Sequence, residues 1–223
     1  MKNATLEQGM KVQKMIVDKG TPDEQLQWTL ESGALSDLFD ANPEGFNREA
    51  FRKFLGLKPL NQPLLISVGT ATVPRNDGSF VARNHFVVNT KNNAPVKISY
   101  LGDNFKDWFF GKQEQPFGGS TLNYGKLSCW SVDGPIIAEL GGEEKAETTL
   151  TELFALMEAQ KNGEDGPLLT NGYANIFYVR DVNGVLRAVG AGWSGGGWDV
   201  GATPVTSPRE WRGGDQVFSR SSR

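Results

Sequence analysis

Cysteine and histidine are nearly absent from this sequence of 223 residues, which has one of each, Cys129 and His85. A single cysteine excludes a disulfide within the chain and a zinc site built from several cysteines. A single histidine excludes a metal site built from several imidazoles. The sequence therefore predicts neither a bound metal ion nor a disulfide framework.

Long apolar runs are also missing. No stretch approaches the roughly 20 apolar residues that a membrane-spanning helix needs. The first residues, Met-Lys-Asn-Ala-Thr, are not followed by the apolar segment of a secretion signal. These features predict a protein without membrane contact, and we expect it in the cytoplasm.

The chain lacks a concentrated basic region, because its 23 lysines and arginines are outnumbered by 26 acidic residues, for a net charge of -3. Nucleic acids bind through clustered positive charge, so no nucleic-acid partner is predicted. Four arginines near the C-terminus are interpreted as a solubilising tail: Arg209, Arg212, Arg220 and Arg223. The acidic balance leaves open an inhibitor or immunity-type protein that binds a basic partner.

Phosphate-binding loops are missing as well, although the chain has 27 glycines. No glycine-rich segment between a strand and a helix carries the lysine or the spacing of a nucleotide-binding loop. The sequence therefore predicts no cofactor.

Signals for local folding are abundant. Residues 1–58 contain repeated helix starts and stops and predict a helical N-terminal module, and prolines in residues 58–63 indicate a linker. Residues 64–223 predict an α+β domain with a C-terminal β-meander. The predicted fold class is α+β, with the helical N-terminal module followed by a mainly antiparallel β-sheet domain that includes one long helix.

Runs of β-branched and aromatic residues predict strands at residues 64–73, 80–88, 96–100 and 136–140. The gaps between the first three are too short for crossover helices, so antiparallel pairing is expected. Thr149 and Glu152 predict a capping box at the start of a helix with apolar residues at helical spacing.

The last third of the chain predicts consecutive strands at residues 175–180, 185–193 and 198–203, separated by glycine-containing turns. Side chains alternate between the two faces of a sheet. One face of the last two strands is therefore predicted to be an apolar core anchored by tryptophan. Its residues are Val185, Val189, Ala191, Trp193, Trp198, Val200 and Ala202.

The opposite face of these two strands, here called the glycine face, is the candidate binding surface. Its residues are Gly190, Gly192, Asp199, Gly201 and Thr203. Each glycine costs roughly 0.5–1 kcal/mol relative to alanine, so three of them need a physical reason. Close approach of another backbone is one hypothesis, and a recognition surface is the other. Ser194 in the turn and Arg212 beyond it complete the candidate binding residues.

Cys129-Trp130 resembles the cysteine–tryptophan pair of papain-like proteases. That family places its nucleophile at the start of a long helix and its histidine downstream. Here turn residues follow Cys129 and His85 lies upstream, so a structural cysteine is the favoured interpretation. An enzyme of unrecognised class, hydrolase-like and using Cys129 or carboxylates, stays open as an alternative.

A wider resemblance is carried by residues 176–181 (Ile-Phe-Tyr-Val-Arg-Asp), by Trp193 and Trp198, and by residues 217–220 (Val-Phe-Ser-Arg). These residues resemble an uncharacterised protein family of small-genome candidate-phyla bacteria, whose copies differ around tryptophan-rich C-terminal strands. The pattern is also similar to the variable segments of retroelement-diversified proteins, which bind ligands with a C-type-lectin-like fold. The second resemblance implies ligand binding, and the first implies no particular activity.

The sequence thus predicts a non-catalytic module that binds a ligand or a protein partner through the solvent face of its C-terminal strands. The enzyme and the acidic inhibitor remain the alternatives. The identity of the ligand and the oligomeric state are left open.

Overall fold

The structure, a computed structural model, describes residues 5–40, 47–56 and 63–220, with the backbone alone at Arg48 and Glu49. The chain forms two compact units, Met1–Leu60 and Asn61–Arg223. The linker predicted at residues 58–63 lies outside the described residues except for Pro63, and Arg223 lies outside them too.

The described residues of the first unit form helices. These are α1 (Leu6–Asp18), α2 (Asp23–Glu31), α3 (Ala34–Asp40) and α4 (Arg48–Phe54). Thr5 begins α1 with a capping box, in which its side chain accepts the Gln8 backbone N–H and the Gln8 side chain accepts the Thr5 backbone N–H. None of the described side chains of these helices is buried, and Leu6 and Phe54 are largely exposed.

The second unit is built around a large sheet. Its elements, in chain order, are β1 (Leu65–Val73), β2 (Phe80–Val81), α5 (Ala82–His85), β3 (Ile98–Leu101), α6 (Asp103–Phe109), β4 (Gln113–Glu114), β5 (Ser120–Leu127), α7 (Asp133–Glu139), α8 (Glu143–Ala146), β6 (Glu147–Thr148), α9 (Leu150–Ala159), β7 (Asn175–Arg180), β8 (Leu186–Trp193), β9 (Trp198–Pro204) and β10 (Gln216–Arg220). The strand order is β1-β5-β10-β7-β8-β9-β3, with β6 beside β7, while β2 pairs with β4. The α+β class predicted from the sequence is confirmed.

The sheet is mixed, whereas antiparallel pairing was predicted from the short gaps. β1, β5 and β10 pair antiparallel, as do β7, β8 and β9. β10 and β6 run parallel to β7, and β3 runs parallel to β9. A short gap constrains only strands that are neighbours in both the chain and the sheet, and β1, β2 and β3 do not pair with one another.

Two predicted strands are wrong. Residues 80–88 form only the short β2 before the helical turn α5, because Ala-Arg-Asn-His at residues 82–85 interrupts the run of strand-forming side chains. Residues 136–140 belong mainly to α7, where Ile136 and Leu140 have helical spacing and the Leu140 N–H donates to the Ile136 carbonyl. Pro135 lies in the first turn of α7, where a missing N–H is tolerated.

Apolar side chains pack on both faces of the sheet. One cluster joins Phe177 of β7 and Val189 of β8 to Leu153 of α9. The second cluster, on the opposite face, joins Tyr178 of β7 and Ala188 of β8 to the α7 side chain Ile136. The core therefore spans both sides of the central strands.

Helix α9 begins with the predicted capping box. Thr149 Oγ1 accepts the Glu152 backbone N–H at 3.2 Å, and the Glu152 carboxylate accepts the Thr149 backbone N–H at 2.7 Å. Across the described ranges, none of the helices combines the length and apolar character needed to cross a bilayer.

Candidate functional site: a cavity with a glycine floor

Strands β8 and β9 alternate their side chains between the apolar core and the glycine face. Val189, Ala191, Trp198, Val200 and Ala202 belong to the core. On the opposite face, the ladder pairs Gly190 with Gly201, Gly192 with Asp199 and Ala188 with Thr203. The two small residues at the centre leave the middle of this face without side chains.

A cavity of about 520 Å³ lies over the glycine face, and we call it the strand cavity. It is lined by Tyr100, Gly102, Asp103, Asn104, Ala174, Ala188, Gly190, Gly192, Asp199, Gly201, Ala202, Thr203, Arg209 and Trp211. All five residues of the glycine face are in this lining. Ser194 and Arg212, the two other candidate residues, are not.

The glycines differ in what covers them. A Cβ atom on Gly201 would meet no atom within 4 Å, and one on Gly192 would meet only the Tyr173 carbonyl oxygen at 4.0 Å. A Cβ on Gly190 would lie 3.0 Å from the ring of Trp211. Gly201 thus faces open space, while Gly190 lies against a side chain, and none of the three is tightly packed against another backbone.

Asp199 connects three parts of the site. Its Oδ1 accepts a hydrogen bond from Ser99 Oγ of β3 at 2.6 Å, and its Oδ2 accepts one from Ser194 Oγ of the β8–β9 turn at 2.6 Å. Ser194 therefore acts on the strand cavity through Asp199. Each carboxylate oxygen of Asp199 can accept a further hydrogen bond, so Asp199 can bind both serines and still contact a ligand.

Trp211 forms a wall beside Gly190. Its Nε1–H donates to Asp133 Oδ1 at 2.7 Å, and the Tyr178 hydroxyl donates to the same oxygen at 2.9 Å. Asp133 is 1% exposed. Burial raises the pKa of the Asp133 carboxyl, and the hydrogen bonds from Trp211 and Tyr178 oppose that rise.

The other side of the strand cavity comes from β3 and α6. Tyr100 is exposed, and it pairs with Asp199 in the β3–β9 ladder. The Asn104 Nδ2 donates to the Ala202 carbonyl at 3.3 Å, which leaves its own carbonyl oxygen as an acceptor. A hydrogen bond from Lys106 at 2.7 Å lowers the pKa of Asp103.

Arg209 and Arg212, two of the four arginines near the C-terminus, have different surroundings. Arg209 is exposed and lines the strand cavity, and its guanidinium has no partner within the described part of the chain. Arg212 lies elsewhere, with its guanidinium 6.0 Å from the centre of the Trp130 ring. The solubilising role of Arg209 stays a prediction, and of the two arginines only Arg209 lines the strand cavity, whereas Arg212, which was predicted as a binding residue, does not.

The side chains proposed for an enzyme lie in different environments. Cys129 is an exposed free thiol. The His85 imidazole stacks on Phe80 with ring centres 4.1 Å apart, and partial burial lowers its pKa while Glu158 opposes this change. No hydrogen bond joins Cys129 to His85 among the described contacts, so the structure does not assemble a Cys–His pair.

Sequence reasoning missed the walls of the strand cavity. Tyr100 is distant from β8 and β9 in the chain and reaches the cavity through the parallel β3–β9 pairing, whereas Arg209 and Trp211 reach it through the path of the chain shortly after β9. The one available signal was the aromatic Trp211 in a polar, glycine-containing segment.

Within the described ranges, no group of three or more His, Cys, Asp or Glu side chains is arranged to hold a metal ion. No protein-family model, curated protein or solved structure matches the chain.

Proposed function

We propose that this protein binds a small ligand in the strand cavity, with the glycine face as the floor of the site. The observation that carries the proposal is the open space above Gly201, where a side chain would fit and none is present. The volume of about 520 Å³ lies within the roughly 300–1,000 Å³ typical of small-molecule sites.

The glycine floor has no explanation in backbone geometry. Gly190, Gly192 and Gly201 do not have positive φ angles, so the backbone accepts other residues at all three positions. Glycine within a strand costs roughly 0.5–1 kcal/mol relative to alanine. At Gly201 no packing contact compensates for this destabilisation. This favours the interpretation that glycine at position 201 leaves room for a ligand.

The lining favours an amphipathic ligand with one flat apolar side. The glycine backbone and the Trp211 ring supply a flat apolar surface, whereas Asp199, Asn104 and Arg209 supply polar groups around it. Such a combination, an apolar pocket with a few polar groups that orient the ligand, is the usual composition of small-molecule sites.

The test is a screen of ring-containing, water-soluble fragments by saturation-transfer NMR against the intact chain and Gly201→Val. A Cβ atom on residue 201 would meet no atom within 4 Å and would point into the strand cavity, so we expect the valine variant to lose bound fragments while the fold is kept. Gly118→Val is the matched control, because Gly118 also has open space around it and lies outside the cavity lining.

Circular dichroism and melting temperature check that both variants are folded. Fragments that bind the intact chain and Gly118→Val, but not Gly201→Val, support the proposal. If no fragment distinguishes Gly201→Val from the intact chain, the strand cavity is not a ligand site.

A further inference from the structure

The Trp211 residue is held through both its backbone and its ring. Its backbone forms a bridge with Ser131, with N–O distances of 3.1 and 2.8 Å, and its Nε1–H donates to Asp133 at 2.7 Å. Ser131 and Asp133 are two residues apart. One short segment therefore fixes the residue that forms a wall of the strand cavity.

Asp133 is in turn fixed to the sheet beneath the cavity. Tyr178 of β7 donates to the same carboxylate oxygen at 2.9 Å, and Tyr178 is the ladder partner of Ala188, which lines the strand cavity. Asp133 and Tyr178 are both almost completely buried. Asp133 Oδ1 accepts both hydrogen bonds only when the Trp211 ring and the Tyr178 ring each keep one orientation. Rotation of either ring would leave buried polar atoms with fewer hydrogen-bond partners, which is unfavourable.

We propose that Asp133 is a positioning residue that holds the Trp211 indole as a fixed wall of the strand cavity and so determines which ligands fit. This inference rests on the proposed function, since the position of the wall selects ligands only if the cavity binds them. The Trp211 ring lies 3.0 Å from the place of a Cβ on Gly190. Rotation of the indole would therefore change the space directly above the floor.

The first measurement concerns the indole N–H of Trp211 in ¹⁵N-labelled protein, identified by its loss in Trp211→Phe. In the unaltered chain we expect slow exchange of this proton with solvent, because it is bonded to a buried carboxylate. Asp133→Ala is expected to shift the resonance and speed its exchange. Asp133→Asn is expected to keep the exchange slow, because the amide oxygen accepts the same two hydrogen bonds. The control is Asp107→Ala, an exposed aspartate outside the cavity lining.

The second measurement is the affinity for the ring-containing fragments found with the unaltered chain. We expect Asp133→Ala to weaken their binding about tenfold, which corresponds to ~1.4 kcal/mol. Asp133→Asn and Asp107→Ala should bind them with nearly unchanged affinity. Rescue by asparagine separates positioning of the indole from a general loss of stability.

The outcomes distinguish this inference from the proposed function. Rapid exchange of the Trp211 indole in the unaltered chain overturns the role of Asp133, and this result does not require Asp133→Ala to fold. An unchanged indole resonance in Asp133→Ala also overturns it. If the indole responds but fragment affinity does not, the role of Asp133 in ligand selection is wrong. If no fragment binds any variant, the proposed function fails, and ligand selection by Asp133 fails with it.

Discussion

Gly190 and Gly201 face each other in the β8–β9 ladder but have different surroundings. The ring of Trp211 covers the first, and open space lies above the second. Neither residue has a positive φ angle. Substitutions at these two positions therefore distinguish two effects on the free energy of unfolding. One is packing against the Trp211 ring, and the other is the backbone entropy of glycine in the unfolded chain.

We expect Gly201→Ala to raise the free energy of unfolding by ~0.5–1 kcal/mol, because alanine lowers backbone entropy in the unfolded chain and meets no atom in the folded one. Gly190→Ala should lower it, because overpacking against Trp211 costs ~1–3 kcal/mol and exceeds the same gain. Urea denaturation of both variants measures the difference. Equal changes at the two positions would contradict the contacts described here.

Strand alternation predicted the direction of each side chain on β8 and β9 from the sequence, because it depends only on a period of two. Strand alternation does not predict which side chains lie above the glycine face. It could not anticipate that Trp211 covers Gly190, or that Asp199 holds Ser99 and Ser194. Ser99 is 100 residues from Asp199 in the chain, and the position of Trp211 depends on the path of the chain after β9.

At the scale of elements, the sequence was most informative where signals were continuous. The strand predicted at residues 175–180 has the bounds of β7, and the Thr149 capping box forms at α9. Predictions failed at short segments with mixed signals, where α5 and α7 form instead of strands. Four to seven residues provide too few periods to separate a helix from a strand.

The alternation of β9 also leads to a prediction about related proteins. Gly201 and Thr203 line the strand cavity, so we expect them to vary between related copies. Trp198 and Val200 belong to the core and are not in the cavity lining, so they should stay apolar. Asp199 should vary less than Gly201, because it holds two serine hydroxyls.

An alignment of close relatives over β8 and β9 provides the measurement. Variation spread evenly over both faces of β9 would argue against a surface diversified for binding. Variation limited to the cavity side would support it.

At the scale of the whole molecule, the strand cavity depends on a strand order that local rules do not give. β3 lies beside β9, although Ser99 and Asp199 are 100 residues apart in the chain. Long-range pairings of this kind are decided by total burial and hydrogen bonding, not by local propensity. For this reason the floor was predicted from sequence and the walls were not.

Both apolar clusters consist of residues from the second unit. We therefore expect a fragment of residues 61–223 to fold alone, because it contains every side chain of the two clusters found among the described residues. The expected result is one cooperative thermal transition and retained near-ultraviolet circular dichroism from its tryptophans. A fragment without a cooperative transition would show that residues 1–60 are needed for folding.

The position of β10 in the sheet determines when the sheet can be completed during translation. It lies between β5 and β7, so it joins the group β1-β5 to the group β7-β8-β9-β3. A nascent chain that has not yet exposed Gln216–Arg220 outside the ribosome holds two separate groups of strands with open edges. The sheet therefore cannot be completed until β10 has emerged from the exit tunnel. Before that point we expect chaperones to bind the incomplete sheet.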